Sequence, residues 1–453
     1  MTSTSLNAKI GGTPVEIDEE TVRRYDRPLP RYTSFPPADR WGELSPEAHA
    51  ASLARCAAEG PSLSLYFHVP FCDSKCAFCG CSSVATRNTR IKERYVGACL
   101  AELALVAGSS GGRPSLSGIH FGGGTPTSVG IGSLKKILGA AGEKFDLSSG
   151  AEVSIEIDPR CASVSDIGEL RATGFTRVSF GVQDFDGEVG RLIGRASPFG
   201  EVRERVEAAR AAGFGGINLD LVYGLPGQTR DGWEKTLELA LRLSPDRMAL
   251  FNFAYLPARL RHQRAIDPGL VPEPMEKLSL FAAAVERFES EGYAFIGLDH
   301  FAREGDPLAR AHREGKLTRN FQGYAAGAGV PIAGVGATSI SEMGSVYSQN
   351  EKKLIGYMRD AEAGIFPTRR GALLSPDEEI CRRAIRSLMC SQRAGIISDE
   401  AFSRLLPLRE DGIVEIAGDE VRLTPLGRLF SRHAASAFDP GLKPGRSPYS
   451  RAL

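Results

Sequence analysis

An α/β fold is predicted by three features of this 453-residue chain. Between residues 62 and 300 the apolar pattern switches repeatedly from strict alternation to a period of about 3.6, the mark of strand–helix repetition. Such βα units build a parallel sheet covered by helices, and roughly six of them fit this span, which suits a partial or complete barrel. The polar and glycine-rich motifs fall just past the C-terminal ends of the predicted strands, where parallel α/β folds gather their sites.

Residues 1 to about 45 are polar and turn-rich. YDRPLPRYTSFPPADR carries four prolines and excludes a long helix, so an extended arm on the main domain is expected. Its Tyr25, Tyr32 and Phe35 can cover a cavity mouth or merely the barrel's outside. LSPEAHAASLARCAAE reads as a helix beginning near Ser45 and ended by Gly60-Pro61. Strands are predicted at 64–69, 118–121, 152–157, 177–181, 216–222, 247–253, 294–297 and 332–335, with helices near 89–107, 132–145, 165–173, 200–212, 230–243 and 272–291. Residues 300–350, rich in Gly, Arg and aromatics and poor in periodicity, read as a loop excursion or lid. A helix near 376–392, the pair IVEI and EVRLT around Gly418-Asp419, and a helix from Pro425 predict a winged-helix-like unit. The end, DPGLKPGRSPYSRAL, reads as a loosely held tail. The expected divisions are an arm and helix (1–60), a barrel core (61–300), a barrel-edge excursion with substrate-covering loops (301–365) and a mainly helical C-terminal domain (366–453).

Lys+Arg and Asp+Glu both number 55, so charge gives no ground for a nucleic-acid or anionic-membrane partner. The N-terminus lacks the apolar core of a signal peptide, and no stretch approaches the roughly 18 apolar residues of a membrane span. A cytoplasmic protein is expected. Of nine cysteines, four lie between Cys72 and Cys81, which fits a reducing compartment and one metal site better than a disulfide framework. Cys56, Cys99, Cys161, Cys381 and Cys390 read as small buried hydrophobes.

The chemistry starts in SLSLYFHVPFCDSKCAFCGCSSVATR. Cys72, Cys76 and Cys79 are spaced C-x3-C-x2-C, as expected of a loop that wraps three thiolates around a [4Fe-4S] cube and leaves the fourth iron free to chelate an amine and a carboxylate. A zinc knuckle normally needs a second C-x2-C pair, which is missing. Cys81, two residues past Cys79, is either a fourth ligand or a thiol lining the pocket. Gly122, Gly123 and Gly124 ahead of Thr125-Pro126 let backbone approach a ligand and offer free N–H groups. Glu156 alternates with Ile155 and Ile157, so it points away from the apolar face and into the mouth.

The cysteine motif after a strand resembles the radical S-adenosylmethionine superfamily. The longer strings YFHVPFCDSKCAFCGC, PRYTSFP, FGGGTPT, EVSIEIDPR, GVQDF, DLVYGLPGQT, DHFARE, RNFQGY and GVGATSIS resemble the oxygen-independent coproporphyrinogen III oxidases, from about residue 22 to 435. The resemblance implies a partial (βα)6 barrel extended at its edges, with an N-terminal arm and a small mainly helical C-terminal domain. It implies one [4Fe-4S] cluster on Cys72, Cys76 and Cys79, and two molecules of S-adenosylmethionine met by Tyr66, Gly123, Gly124, Thr125, Glu156, Gln183, Arg195, Asp220, Ala254 and Ile340. Cys81, Tyr66 and Glu156 are the implied catalytic groups. The implied reaction removes a hydrogen from the β-carbon of a propionate of coproporphyrinogen III through a 5′-deoxyadenosyl radical. Loss of an electron and CO2 leaves a vinyl group, and two rounds give protoporphyrinogen IX. A tetracarboxylate calls for arginine forks and donors; the candidates are Arg31, Arg303 and Arg319 with His68, His300, Gln322 and Tyr324. An external electron donor and acceptor and a monomeric protein are also implied. SFPPADR for SYPTA, HFGGG for HWGGG and CGCSS for CGCN depart from the family wording without removing a proposed group. A haem-binding or haem-methylating relative, a non-enzymatic metal-binding protein and a winged-helix regulator are the alternatives; Cys81, the PRYTSFP arm and RNFQGY favour decarboxylation.

Overall fold

Six parallel strands, Leu63–Val69, Ser115–Gly123, Asp146–Ile157, Arg177–Gln183, Gly216–Tyr223 and Arg247–Asn252, lie side by side in chain order. They are called here the first to sixth barrel strands. The structure, a computed structural model, describes residues 5–60, 62–327, 329–443 and 449–452. The central strands are largely buried, as in the fourth, where only Ser179 is partly exposed. Phe67 and Phe121 stack at 4.7 Å across the first two strands, and Phe175 meets Phe121 edge-on at 5.4 Å.

The intervening helices begin where the sequence offers a cap. Asn88 caps Thr89–Ser109, Ser163 and Asp166 form a capping box on Val164–Thr173, and Thr229 caps Arg230–Arg242. Gly174 in the left-handed conformation ends the second of these. All six predicted βα units are present, with strand ends shifted by a few residues.

The sheet does not close. Antiparallel strands His300–Arg303 and Tyr293–Gly297 extend it past the sixth strand. On the other edge Ile332–Val335 runs parallel to the first strand, followed by Ile340–Met343, Val346–Asn350, Thr368–Leu373 and Gly42–Glu43. The 300–350 segment, expected as a loop excursion, therefore supplies strands; its alternation is hidden because most of these strands have four residues and several are buried on both faces. The opposite, N-terminal end of the barrel is tied by Arg177 and Arg247, which both reach Asp306, at 3.1 and 2.8 Å.

Two terminal segments differ from expectation. Ser5–Ile10 and Thr13–Asp18 pair as a hairpin around Gly11-Gly12, followed by helix Glu19–Tyr25, so the arm is extended only from Asp26 onward. Residues 444–448 and 453 of the expected loose tail lie outside the described residues, but 449–452 are fastened to that arm. Arg451 bridges to Pro28, Leu29 N–H donates to Ser450 O at 3.2 Å, and Ala452 N–H donates to Arg27 O at 2.9 Å. Buried Arg432 donates to the carbonyls of Leu29, Pro30, Ser450 and Arg451. The C-terminal unit holds helices Pro376–Ser391 and Asp399–Glu410 and a small sheet in which Val414–Ala417 and Glu420–Leu423 form the expected hairpin ahead of helix Pro425–Leu429.

Because one guanidinium satisfies four carbonyls, Arg432→Ala is expected to cost about 2 to 3 kcal/mol and to release the arm. Limited proteolysis then cuts between residues 26 and 40 much faster than in the parent; an unchanged cleavage pattern contradicts the clamp.

Candidate active site

The first barrel strand delivers Pro70, and the loop beyond it is closed by a short parallel pairing of Phe71–Cys72 with Val84–Ala85. Val84 N–H donates to Pro70 O at 2.6 Å and Thr86 N–H to Cys72 O at 2.9 Å. The loop's far side is pinned from a separate element: His262 Nε2 lies 2.8 Å from Cys79 O, and Gln263 donates to Phe78 O at 3.4 Å. Cys72, Cys76, Cys79 and Cys81 are all unbridged and all line one cavity of about 670 Å3 at the C-terminal mouth of the barrel.

Each of the three spaced sulfurs has its own donor. Thr125 Oγ1 donates to Cys72 Sγ at 3.6 Å, and Arg160 and Arg195 stand 3.8 and 3.9 Å from Cys76 Sγ. Ser83 Oγ lies 4.0 Å from Cys79 Sγ, and interaction with the Cys81 thiol draws the Cys79 thiol well below its ordinary value while pushing Cys81 up. Donors of this kind favour thiolates. Among the described residues no three His, Cys, Asp or Glu side chains are grouped as a single-ion site requires. Three thiols spread round one loop, each with its own neighbouring donor, suit the corners of a [4Fe-4S] cluster.

The glycine turn after the second strand is bound to this loop. Gly124 N–H donates to Val69 O and Thr125 N–H to Phe71 O, both at 2.8 Å, and Gly123 N–H donates to Glu156 at 3.1 Å. The amides expected to be free for a ligand are thus spent on fixing the loop and Glu156. Gly123 has φ +114°, and a Cβ there would stand 2.6 Å from the His68 ring; one on Gly124 would stand 2.7 Å from Phe71 O.

Glu156 faces the cavity as its alternation predicts. Burial raises its carboxyl, but the hydrogen bond with His120 at 3.3 Å, its charge and the Gly123 amide bring it below the usual range. Its side chain is 41% exposed, onto the cavity. Gln183 stands at φ +70°, an unusual backbone for a non-glycine residue, beside the irregularity where the fourth and fifth strands slip by a residue. Asp220 accepts from Ser179 at 3.0 Å and Asn218 at 2.7 Å; burial first, and then the Glu156 charge, push it up to about 7. Arg195 pairs with Asp158 at 3.1 Å and donates to Gly181 O, while its buried Nε–H has no acceptor, a group that a ligand carboxylate would satisfy.

The cavity brings together Cys72, Cys76, Cys79, Cys81, Gly123, Gly124, Thr125, Glu156, Gln183, Arg195, Asp220, Ala254 and Arg31. Other expected residues lie outside its lining. Tyr66 hydrogen-bonds His68 at 3.0 Å and stacks on His120 at 5.8 Å; His68, buried, reaches Ser82 O at 3.0 Å, so both support the cysteine loop from below. Ile340 packs with Trp41 and Tyr347. His300 bonds Asp299 at 2.6 Å, Asp299 also pairs with Arg31, and buried Arg319 lies 4.7 Å over Tyr324. Tyr324 OH donates to Met389 O, and Gln322 is exposed. Arg303 is a correction: its strand runs antiparallel to the sixth, which carries it to the N-terminal end of the barrel, where it donates to Pro245 O and Tyr293 OH. Cys161 is another, because it is exposed and lines the cavity instead of packing in the core. Sequence reasoning passed over Arg160, His120, Phe321, His262 and Ser450. The signals were present for two: Arg160 ends EVSIEIDPR, and Phe321 is the aromatic at the tip of RNFQGY.

Residues 66–240 match the model of the radical SAM superfamily. The oxygen-independent coproporphyrinogen III oxidase of Pseudomonas aeruginosa is 36% identical, over 97% of this chain and 99% of its own length. That of Escherichia coli is 37% identical over 95% and 96%. A solved structure, described as coproporphyrinogen III oxidase from Escherichia coli, a radical SAM enzyme, superposes with a TM-score of 0.86 at 37% identity, covering 91% of this chain and 98% of that one.

Two outcomes follow from the geometry. Cys76→Ala should abolish iron binding, measured as iron and sulfide per chain after anaerobic reconstitution, whereas Cys81→Ala should retain a cluster; loss in the latter would make Cys81 a ligand. Asp220, raised from 3.8 to about 7, loses stabilising effect as pH climbs from about 4 through 7. Asp220→Asn removes that loss, so its melting temperature in metal-free protein should exceed the parent's by more at pH 8 than at pH 5, by about 2 °C; a pH-independent gap would contradict the assignment.

Proposed function

The chain belongs to the oxygen-independent coproporphyrinogen III oxidase family of the radical SAM superfamily, and we propose that it decarboxylates two propionate side chains of coproporphyrinogen III to vinyl groups. The products would be protoporphyrinogen IX, two CO2, two methionine and two 5′-deoxyadenosine. When bound, a [4Fe-4S] cluster and S-adenosylmethionine supply the one-electron chemistry that removes a hydrogen atom from an unactivated carbon.

The observation that carries the reading is the gathering of three separately donated cysteine sulfurs into one cavity with Glu156, Asp220 and Arg195. Cys72, Cys76 and Cys79 would hold three irons. Gly123, Gly124 and Thr125 shape the wall beside them. Glu156, ionised, suits an ammonium; Arg195, with its unmatched Nε–H, suits a carboxylate; Asp220 suits hydroxyls or an amine. Gln183 and Ala254 would complete that wall, one cofactor being consumed per propionate. Cys81, which lines the same cavity two residues past Cys79, acts in this reading as a thiol beside the cluster, not as a fourth ligand.

For the substrate, Phe251 and Phe321 give apolar walls and Arg31 brings a guanidinium from the arm. Arg31 is held by Asp299, so a propionate would share or displace that partner. Arg319 and His300 stand behind this pair and bias the region toward anions. The arm and Ser450 at the rim restrict water, which a radical reaction requires. The reading takes the protein to act as a monomer, with an electron donor and a final acceptor outside the chain.

The test is anaerobic reconstitution followed by reductant, S-adenosylmethionine and coproporphyrinogen III. Protoporphyrinogen IX and 5′-deoxyadenosine are expected in a ratio of about one to two, one cleavage per propionate. Absence of 5′-deoxyadenosine overturns the radical chemistry. Its formation without vinyl product overturns the substrate and favours a haem-handling role.

A further inference from the structure

The DPR that ends EVSIEIDPR sits against the cysteine loop, with its arginine beside the Cys76 sulfur. Asp158 follows the third strand and caps the 3-10 turn Pro159–Cys161 by accepting from Arg160 N–H. Arg160 then folds back on Asp158 with a two-pronged pairing, Nε to Oδ1 at 3.0 Å and Nη2 to Oδ2 at 2.7 Å. The same Nη2 is 3.8 Å from Cys76 Sγ, and Nη1 donates to Gly194 O. Arg195 reaches Asp158 from the other side at 3.1 Å and Cys76 Sγ at 3.9 Å. Two guanidiniums and one carboxylate, the carboxylate buried, thus leave one net positive charge beside this sulfur.

We propose that Arg160, set by Asp158, is a positioning residue that holds Cys76 as a cluster ligand and raises the reduction potential of the cluster. The proposal rests on the assignment of Cys76 to iron made above. A reduced cluster carries one more negative charge than an oxidised one, so a nearby fixed cation and a hydrogen bond to the ligating sulfur stabilise the reduced form. Arg195 also faces Cys76, but its unmatched Nε–H is assigned to ligand carboxylate, so Arg160 is the guanidinium dedicated to the sulfur. Asp158 has two effects of opposite kind: it orients Arg160, and its charge opposes reduction.

Those signs define the experiment, a redox titration of the anaerobically reconstituted full chain without S-adenosylmethionine, followed by the electron paramagnetic resonance of the reduced cluster, with iron and sulfide counted in each sample. Arg160→Gln removes the cation, and the cluster should become about tenfold harder to reduce, a midpoint shift of about 59 mV downward for one electron. Asp158→Asn removes the anion while its side-chain oxygen still accepts from the Arg160 backbone N–H and Nε, so Arg160 stays oriented and the midpoint should shift upward. Arg160→Lys keeps charge without the planar fork and should fall between parent and Arg160→Gln. If Arg160→Gln sheds its iron, the other two variants decide. A parental midpoint in Asp158→Asn, or a shift of the same sign in Asp158→Asn and the Arg160 variants, overturns the proposal. A parent chain that binds no cluster overturns the iron assignment itself, which is a separate failure.

Discussion

The fastening of the glycine turn to the cysteine loop governs the rest of the site. Gly124 and Thr125 donate their amides to Val69 and Phe71, which joins the end of the second barrel strand to the segment that carries Cys72. Thr125 adds its hydroxyl to the Cys72 sulfur, and Gly123 gives its amide to Glu156 on the third strand. Three successive residues thereby set the positions of Cys72 and of the carboxylate facing it. A side chain at Gly123 or Gly124 would not fit, since His68 and the Phe71 carbonyl occupy the space a Cβ would need.

From that junction outward, the cavity is arranged by charge. One side presents thiols, each with a donor, so deprotonation is favoured without a surplus of free cations. The other presents Glu156, kept ionised against burial by His120 and the Gly123 amide, and Asp220, which burial first and then the Glu156 charge push up to about 7. Such a wall recognises a ligand that brings both an ammonium and hydroxyl groups. Phe251, Phe253 and Phe321 give the cavity aromatic surface and Arg31 a guanidinium, and the lining is completed by pieces distant in sequence: the arm, the hairpin tip at Phe321 and Ser450.

Much of this was legible because it depends on local pattern. The six strands announce themselves by alternation, and the C-x3-C-x2-C spacing specifies a loop without reference to the rest of the chain. What was not legible depends on partners far apart. Whether the Gly123, Gly124 and Thr125 amides are free follows from where Val69, Phe71 and Glu156 lie. Arg303 sits in a motif-rich stretch, yet the direction of its strand carries it to the wrong end of the barrel. Cys161 looks like any isolated cysteine until the turn capped by Asp158 turns it toward the mouth. The tail, polar and rich in proline, gives no local sign that Arg432 holds it to the arm.

The central claim is that three cysteines hold an iron–sulfur cluster with one open corner and that Cys81 stays off the iron. Mössbauer spectroscopy of the 57Fe-reconstituted parent chain, recorded with and without S-adenosylmethionine, addresses it directly. The account predicts that one iron of the cluster has distinct parameters and that these alone move when S-adenosylmethionine is added. Four equivalent, thiolate-ligated irons whose spectrum is indifferent to S-adenosylmethionine would contradict it.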